Sequence, residues 1–213
     1  MERYFRVLIA LAAWAGLGIQ LWILLTGGAF EAPARAVWRF LAFFTILTNL
    51  MVAVVSTVSA LAPGSAFGRF VDGANVRAAV LLYIGTVGIT YHLLLAGLWN
   101  PQGWQFVADK LLHTATPVPV ALGWLLFDAK GGLSFKALPL YLIYPVGYTL
   151  YALARGAGDG FYPYPFIDVG KIGDARALQN IAGLTAAFVI GAGGIILLGK
   201  FLSGLGVRTS PAA

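Results

Sequence analysis

The sequence predicts an all-α integral membrane protein, with six transmembrane helices in one bundle and both termini on the cytoplasmic side. Three observations carry that expectation. Of 213 residues, 60% are hydrophobic and only 10% are charged, whereas a soluble domain carries about 25% charge. So few charges cannot cover a water-facing surface, which excludes a soluble enzyme. The mean hydropathy of +0.84 is equally far from that of a solvated disordered chain. Finally, the stretches free of Asp, Glu, Lys and Arg are long. About 20 apolar residues cross a hydrocarbon core about 30 Å thick, and six stretches approach or exceed that length.

The expected spans are approximately 7–26, 38–62, 77–99, 108–127, 136–156 and 174–202, within a single domain covering 1–213. The first follows Arg3 and Arg6; it is longer than the apolar core of a signal peptide and lacks a small-x-small cleavage site, so it reads as a retained helix. The third ends near Trp99, because Trp99-Asn100-Pro101-Gln102-Gly103 is turn-forming. Gly191, Gly193 and Gly194 in the sixth invite close approach of a neighbouring helix. No internal repeat, low-complexity segment or strand alternation is visible, which argues against a β-barrel.

Orientation follows from the basic residues. Arg3, Arg6, Arg69, Arg77, Lys130, Lys136, Lys200 and Arg208 fall on the side of the termini and even loops, against Arg35, Arg39, Lys110, Arg155, Lys171 and Arg176 on the other. That excess places both termini in the cytoplasm of a cell membrane. The net charge of +6 is dispersed, a topological signal rather than a nucleic-acid one. Cysteine is absent, which excludes disulfides, thiolate metal sites and cysteine nucleophiles. No other metal-ligand spacing stands out either.

Polar residues inside a bilayer are expensive and mark functional sites. Thr45, Thr48 and Asn49 lie in the second expected span, Tyr91 and His92 in the third, and His113, Thr114 and Thr116 in the fourth. Tyr144 and Tyr148 lie in the fifth, and Gln179 and Asn180 in the sixth. At about 1.5 Å per residue, Thr45 falls roughly 12 Å along a helix begun near Val37, His113 roughly 6 Å past Asp109, and His92 roughly 10 Å before Trp99. All three are counted from the odd-loop side, so they converge at similar depth. Asp109 and His113 are four residues apart on one helix face, where the carboxylate can orient the imidazole. A hydroxyl, a histidine and a carboxylate are the parts of nucleophilic acyl transfer. Each also has a structural reading: a threonine bonding back to its own helix, a histidine bridging helices, Asp109 capping a helix start, tyrosines packing at the interface.

The ordered pieces Phe43-Phe44-Thr45-Ile46-Leu47-Thr48-Asn49, Asp109-Lys110-Leu111-Leu112-His113-Thr114 with Pro117, Pro145-Val146-Gly147-Tyr148 and Tyr162-Pro163-Tyr164-Pro165-Phe166 resemble the bacterial branch of the androgen-induced, FAR-17a-type membrane protein family. Animal members of that family are multi-pass hydrolases of fatty acid esters of hydroxy fatty acids that use an intramembrane threonine and histidine. The resemblance implies Thr45 as nucleophile, with Thr48 as competitor, and His113 as general base. Asp109 or Tyr148 would orient the base. Thr48, Asn49 or Asn180 would donate to the oxyanion, and the loop carrying Tyr164 would frame the entrance for a membrane-borne acyl ester. Where animal members carry an amide or a second histidine ahead of that histidine, this chain has Asp109 and Lys110. His92 has no counterpart and lines the site by depth alone. The hydrolase reading needs no cofactor. Two alternatives stand beside it: a non-catalytic lipid-binding or receptor-like membrane protein, and a single-haem protein with His92 and His113 as axial ligands.

Overall fold

Long apolar runs without alternation fold as helices, and every element among the described residues, 1–206, is helical in the computed structural model. In chain order the α-helices are α1 (Glu2–Thr26), α2 (Pro33–Phe40), α3 (Phe44–Leu61), α4 (Ala66–Val71), α5 (Ala74–Thr90), α6 (Gly103–Lys110), α7 (Pro117–Leu126), α8 (Leu138–Asp159), α9 (Val169–Ile172) and α10 (Asp174–Gly204). Two five-residue π-turns, Tyr91–Leu95 and Leu111–Ala115, extend α5 and join α6 to α7. Arg208 lies outside the described residues.

Among the described residues, five helical stretches are long and apolar enough to cross a membrane: Glu2–Thr26, Phe44–Leu61, Ala74–Leu98, Phe135–Asp159 and Asp174–Gly204. α1 packs on α3 and α6, α5 on α3 and α7, and α10 on α8 and α5. Val52, Ile84, Trp124, Tyr141 and Ile196 fill the space between them, while Leu8, Ile89, Leu93, Ile143 and Ile190 face outward. A broad apolar exterior of this kind is compatible with lipid and hostile to water. Of the three glycines singled out on α10, Gly191 makes a close approach: a Cβ there would fall 2.8 Å from Leu82 Cδ1.

Three boundaries differ from the sequence expectation. The first helix begins at Glu2 rather than near residue 7, and Arg6 lies within it, buried. The burial is tolerated because Arg6 Nη2 donates to Glu2 Oε1 at 2.8 Å and to Asp128 Oδ1 at 2.5 Å. Arg77 joins the same cluster through Asp128, 3.7 Å from its Nε, and also donates to Ser59 and Asp72. Lys130 closes it by donating to the Trp124, Leu125 and Asp128 carbonyls.

The expected span 38–62 is not one helix. α2 stops at Phe40, Phe43 is extended (φ −90°, ψ 134°), and α3 starts at Phe44. The carbonyls freed by the break are satisfied from α8: Tyr148 Oη donates to Ala42 O at 2.8 Å and Tyr151 Oη to Leu41 O at 3.2 Å. Thr45 therefore sits in the first turn of α3, not roughly 12 Å along a continuous helix.

The expected span 108–127 is helical from Gly103 to Leu126 but interrupted. Pro117 has no N–H and its ring crowds the carbonyl four residues back. The chain upstream widens into the π-turn, closed by Thr116 N donating to Leu111 O at 3.0 Å. Such bulges commonly re-aim side chains at functional sites.

Candidate functional site

The ends of α3, α5 and α6 and the loop between α8 and α9 meet around a cavity of about 420 Å³, lined by Thr45, Tyr91, Asp109, His113, Tyr164 and Arg39 among others. A narrower, largely apolar cavity of about 80 Å³ opens between α5, α8 and α10. Thr45, Tyr91, Leu95 and Tyr164 line both, so Thr45 stands at the junction of the two.

His113 is aimed by its π-turn and held on two sides. Its Nδ1 is 3.1 Å from the Asp109 carbonyl oxygen and 3.2 Å from Asp109 Oδ1. The carbonyl contact has hydrogen-bond geometry, while Oδ1 has no aligned donor. The carboxylate thus acts on the ring by its charge, and the backbone fixes the tautomer that keeps a proton on Nδ1. Tyr91 stacks on the imidazole, with centroids 3.9 Å apart and planes within 14°. The same tyrosine donates its hydroxyl to Asp109 Oδ2 at 2.7 Å. Asp109 is buried, and a hydroxyl bonded to a buried carboxylate contributes about 1.5–3 kcal/mol.

Thr45 faces a different set of groups. α3 has no side-chain cap, and the first N–H groups of a helix lack intrahelical acceptors. The Tyr164 hydroxyl lies close to the N–H groups of Phe44 and Thr45 and to the Thr45 and Tyr148 hydroxyls. Burial pushes the Tyr164 phenol above its ordinary pKa, so it remains a neutral donor. Two backbone N–H groups and a phenol beside a hydroxyl are the donor types that stabilise an oxyanion.

The remaining sequence candidates fall elsewhere. Thr48 is buried, shares a hydrogen bond with Tyr144 Oη at 2.8 Å, and lines neither cavity. Asn49 commits its amide nitrogen to the Thr45 and Leu112 carbonyls at 2.9 and 3.2 Å, tying α3 to the π-turn. Tyr148 lines the smaller cavity, with its hydroxyl given to Ala42. Asn180 donates to Phe166 O at 2.9 Å, which pins the loop that carries Tyr164. His92 is exposed, paired with Thr114 Oγ1 at 3.0 Å, and lines neither cavity. His113, by contrast, lines the larger cavity.

Sequence reasoning placed Tyr91 in the membrane without giving it a role, and it overlooked Arg39, Gln20 and Gln105, which line the larger cavity. The signal for Tyr91 was its position next to a histidine in an apolar run; nothing local marked the other three. No protein family, curated protein or solved structure matches this chain.

Proposed function

We propose that this chain is a six-span protein of the cell membrane, both termini cytoplasmic, that hydrolyses acyl esters drawn from the bilayer. In this reading it is a relative of the FAR-17a-type hydrolases. Thr45 is the nucleophile and His113 the general base. The observation that carries the proposal is the shared cavity: Thr45 and His113 open on the same space, and Asp109 and Tyr91 fix the imidazole. Counting the helical run from Gly103 to Leu126 as a span as well, the fourth in chain order, puts this cavity in the leaflet opposite the termini.

The steps balance with the residues at hand. His113 Nε2 takes the Thr45 hydroxyl proton as Oγ1 attacks the ester carbonyl carbon. The Thr45 and Phe44 N–H groups and the Tyr164 phenol receive the oxyanion. Collapse breaks the bond to the leaving alcohol, which takes the proton from His113. Water then repeats the sequence on the acyl-threonine and releases the acid. Asp109 stabilises the imidazolium formed in each half. The small apolar cavity beside Thr45 would take the first few methylenes of an acyl chain, and exposed Val146 is among its lining residues.

The test is a fluorophosphonate probe on the purified chain, read by peptide mass spectrometry. The expected result is an adduct on Thr45, lost in His113→Ala, with ester hydrolysis abolished in Thr45→Ala. An adduct on Thr48, or none at all, refutes the mechanism. A Soret band in an unlabelled sample would point to haem binding instead. No adduct and no colour would leave a lipid-binding cavity.

A further inference from the structure

Arg39 is the unexplained charge of the larger cavity. It sits in the last turn of α2 and lines the cavity together with Thr45, Asp109 and His113. Among the described residues, no carboxylate comes within 4 Å of its guanidinium. The nearest candidate, Asp159, is occupied by Trp38 Nε1 at 2.7 Å and by Arg155 at 3.5 Å. Arg39 instead lies flat on Phe161, 3.3 Å from the ring centroid. Stacking of this kind satisfies the face of a guanidinium and leaves its in-plane N–H donors for a planar anion.

Several of the other polar groups on the walls already have partners. Asp109 has Tyr91 and His113, and Gln105 Nε2 donates to Gln20 Oε1 at 2.7 Å. Asp159 attracts Arg39 only from beyond 4 Å, and Asp109 on the cavity wall is engaged by Tyr91 and His113, so an anion delivered by a ligand would be its first close counter-ion.

We propose that Arg39 is an anion-binding residue of the larger cavity, and that its ligand is an amphiphile ending in a carboxylate or phosphate. The inference rests on reading the cavity as a binding site for lipid-derived molecules. It does not require turnover, so an inert Thr45 would leave it standing. If the hydrolase reading holds as well, Arg39 selects esters that carry an anionic end over neutral ones of the same length.

Three ligands with the same tail separate the cases: dodecanoate, dodecyl phosphate and dodecanol, titrated onto the full chain in uncharged maltoside micelles at mildly alkaline pH. At least one anion should bind about tenfold more tightly than dodecanol, a factor in the range expected of one charge-assisted contact. Which anion does so identifies the end group. That preference should vanish in Arg39→Gln and be partly retained in Arg39→Lys. Equal binding of all three ligands, or an unchanged preference in Arg39→Gln, overturns the proposal. Should Arg39→Gln fail to fold, phenylglyoxal modification of the wild-type chain decides the matter. Protection of Arg39 by an anion but not by dodecanol supports the site; equal modification overturns it.

Discussion

Asp109→Asn isolates the electrostatic part of the candidate machinery, because it keeps the shape of the side chain and removes its charge. Asp109 Oδ1 lies 3.2 Å from His113 Nδ1. Two unit charges at that distance attract by about 5 kcal/mol at an effective dielectric near 20. That is a ceiling on what the carboxylate contributes to an imidazolium formed during reaction, and it corresponds to roughly four decades in rate. The substituted amide can keep its oxygen toward Nδ1 and donate from its nitrogen to the Tyr91 hydroxyl, and the carbonyl of residue 109 still holds Nδ1, so ring position is largely kept. The expected outcome is a kcat for long-chain ester hydrolysis lowered by about 10²- to 10⁴-fold, with KM changed little. Fluorophosphonate labelling of Thr45 should slow in parallel, while the far-ultraviolet circular dichroism stays that of the wild type. A variant within about threefold of wild-type kcat would show that the carboxylate does not assist the histidine. The Tyr91–Asp109–His113 cluster would then be a packing motif alone.

Four further outcomes follow from other contacts. Tyr91→Phe keeps the stack on His113 but leaves Asp109 Oδ2 without its donor, so it should lower thermal stability by about 1–3 kcal/mol and activity less than Asp109→Asn does; activity loss exceeding that of Asp109→Asn would contradict this ordering. Pro117→Ala restores a backbone donor at the site of the π-turn; it should raise or preserve the melting temperature while reducing hydrolysis, because His113 rotates as the turn tightens. Asp128→Asn removes the partner of buried Arg6 and Arg77 and should destabilise the detergent-solubilised protein by about 3–5 kcal/mol, read as a large fall in unfolding temperature with residual folded protein still active. Gly156→Ala would drive a methyl into the Tyr162 ring. It should displace the loop bearing Tyr164, by about 1–3 kcal/mol of overpacking, and cut activity through that loop; a variant with wild-type melting and activity would refute the close approach.

Much of the architecture was legible in the sequence, for a simple reason. Crossing an apolar medium forces backbone hydrogen bonds to be satisfied within a segment, so length and hydrophobicity alone locate helices such as α8 and α10 to within a few residues. The pairing of Asp109 with His113 was legible too, since four residues along a helix fix a common face whatever surrounds it. Bulges and breaks were harder to read. Pro117 announced a disturbance, but only the structure assigns it a π-turn that turns His113 toward the cavity.

The break at residues 41–43 left no local mark at all. Leu41-Ala42-Phe43 is apolar and reads as helix interior, and the chain departs from helix there because two tyrosines more than a hundred residues away, Tyr148 and Tyr151, supply donors to the carbonyls the break exposes. That same break leaves α3 without a side-chain cap and puts Thr45 in its first turn beside Tyr164, and it sets Arg39 on a separate short helix lining the cavity. The sequence by itself determined a helical, lipid-compatible chain and which side chains share a helix face, because both follow from periodicity and solvent. Which polar groups meet across helices, Thr45 with Tyr164 or Arg6 with Asp128, was decided only by the tertiary structure, since partners for buried donors and charges are chosen by distance in space and not by distance along the chain.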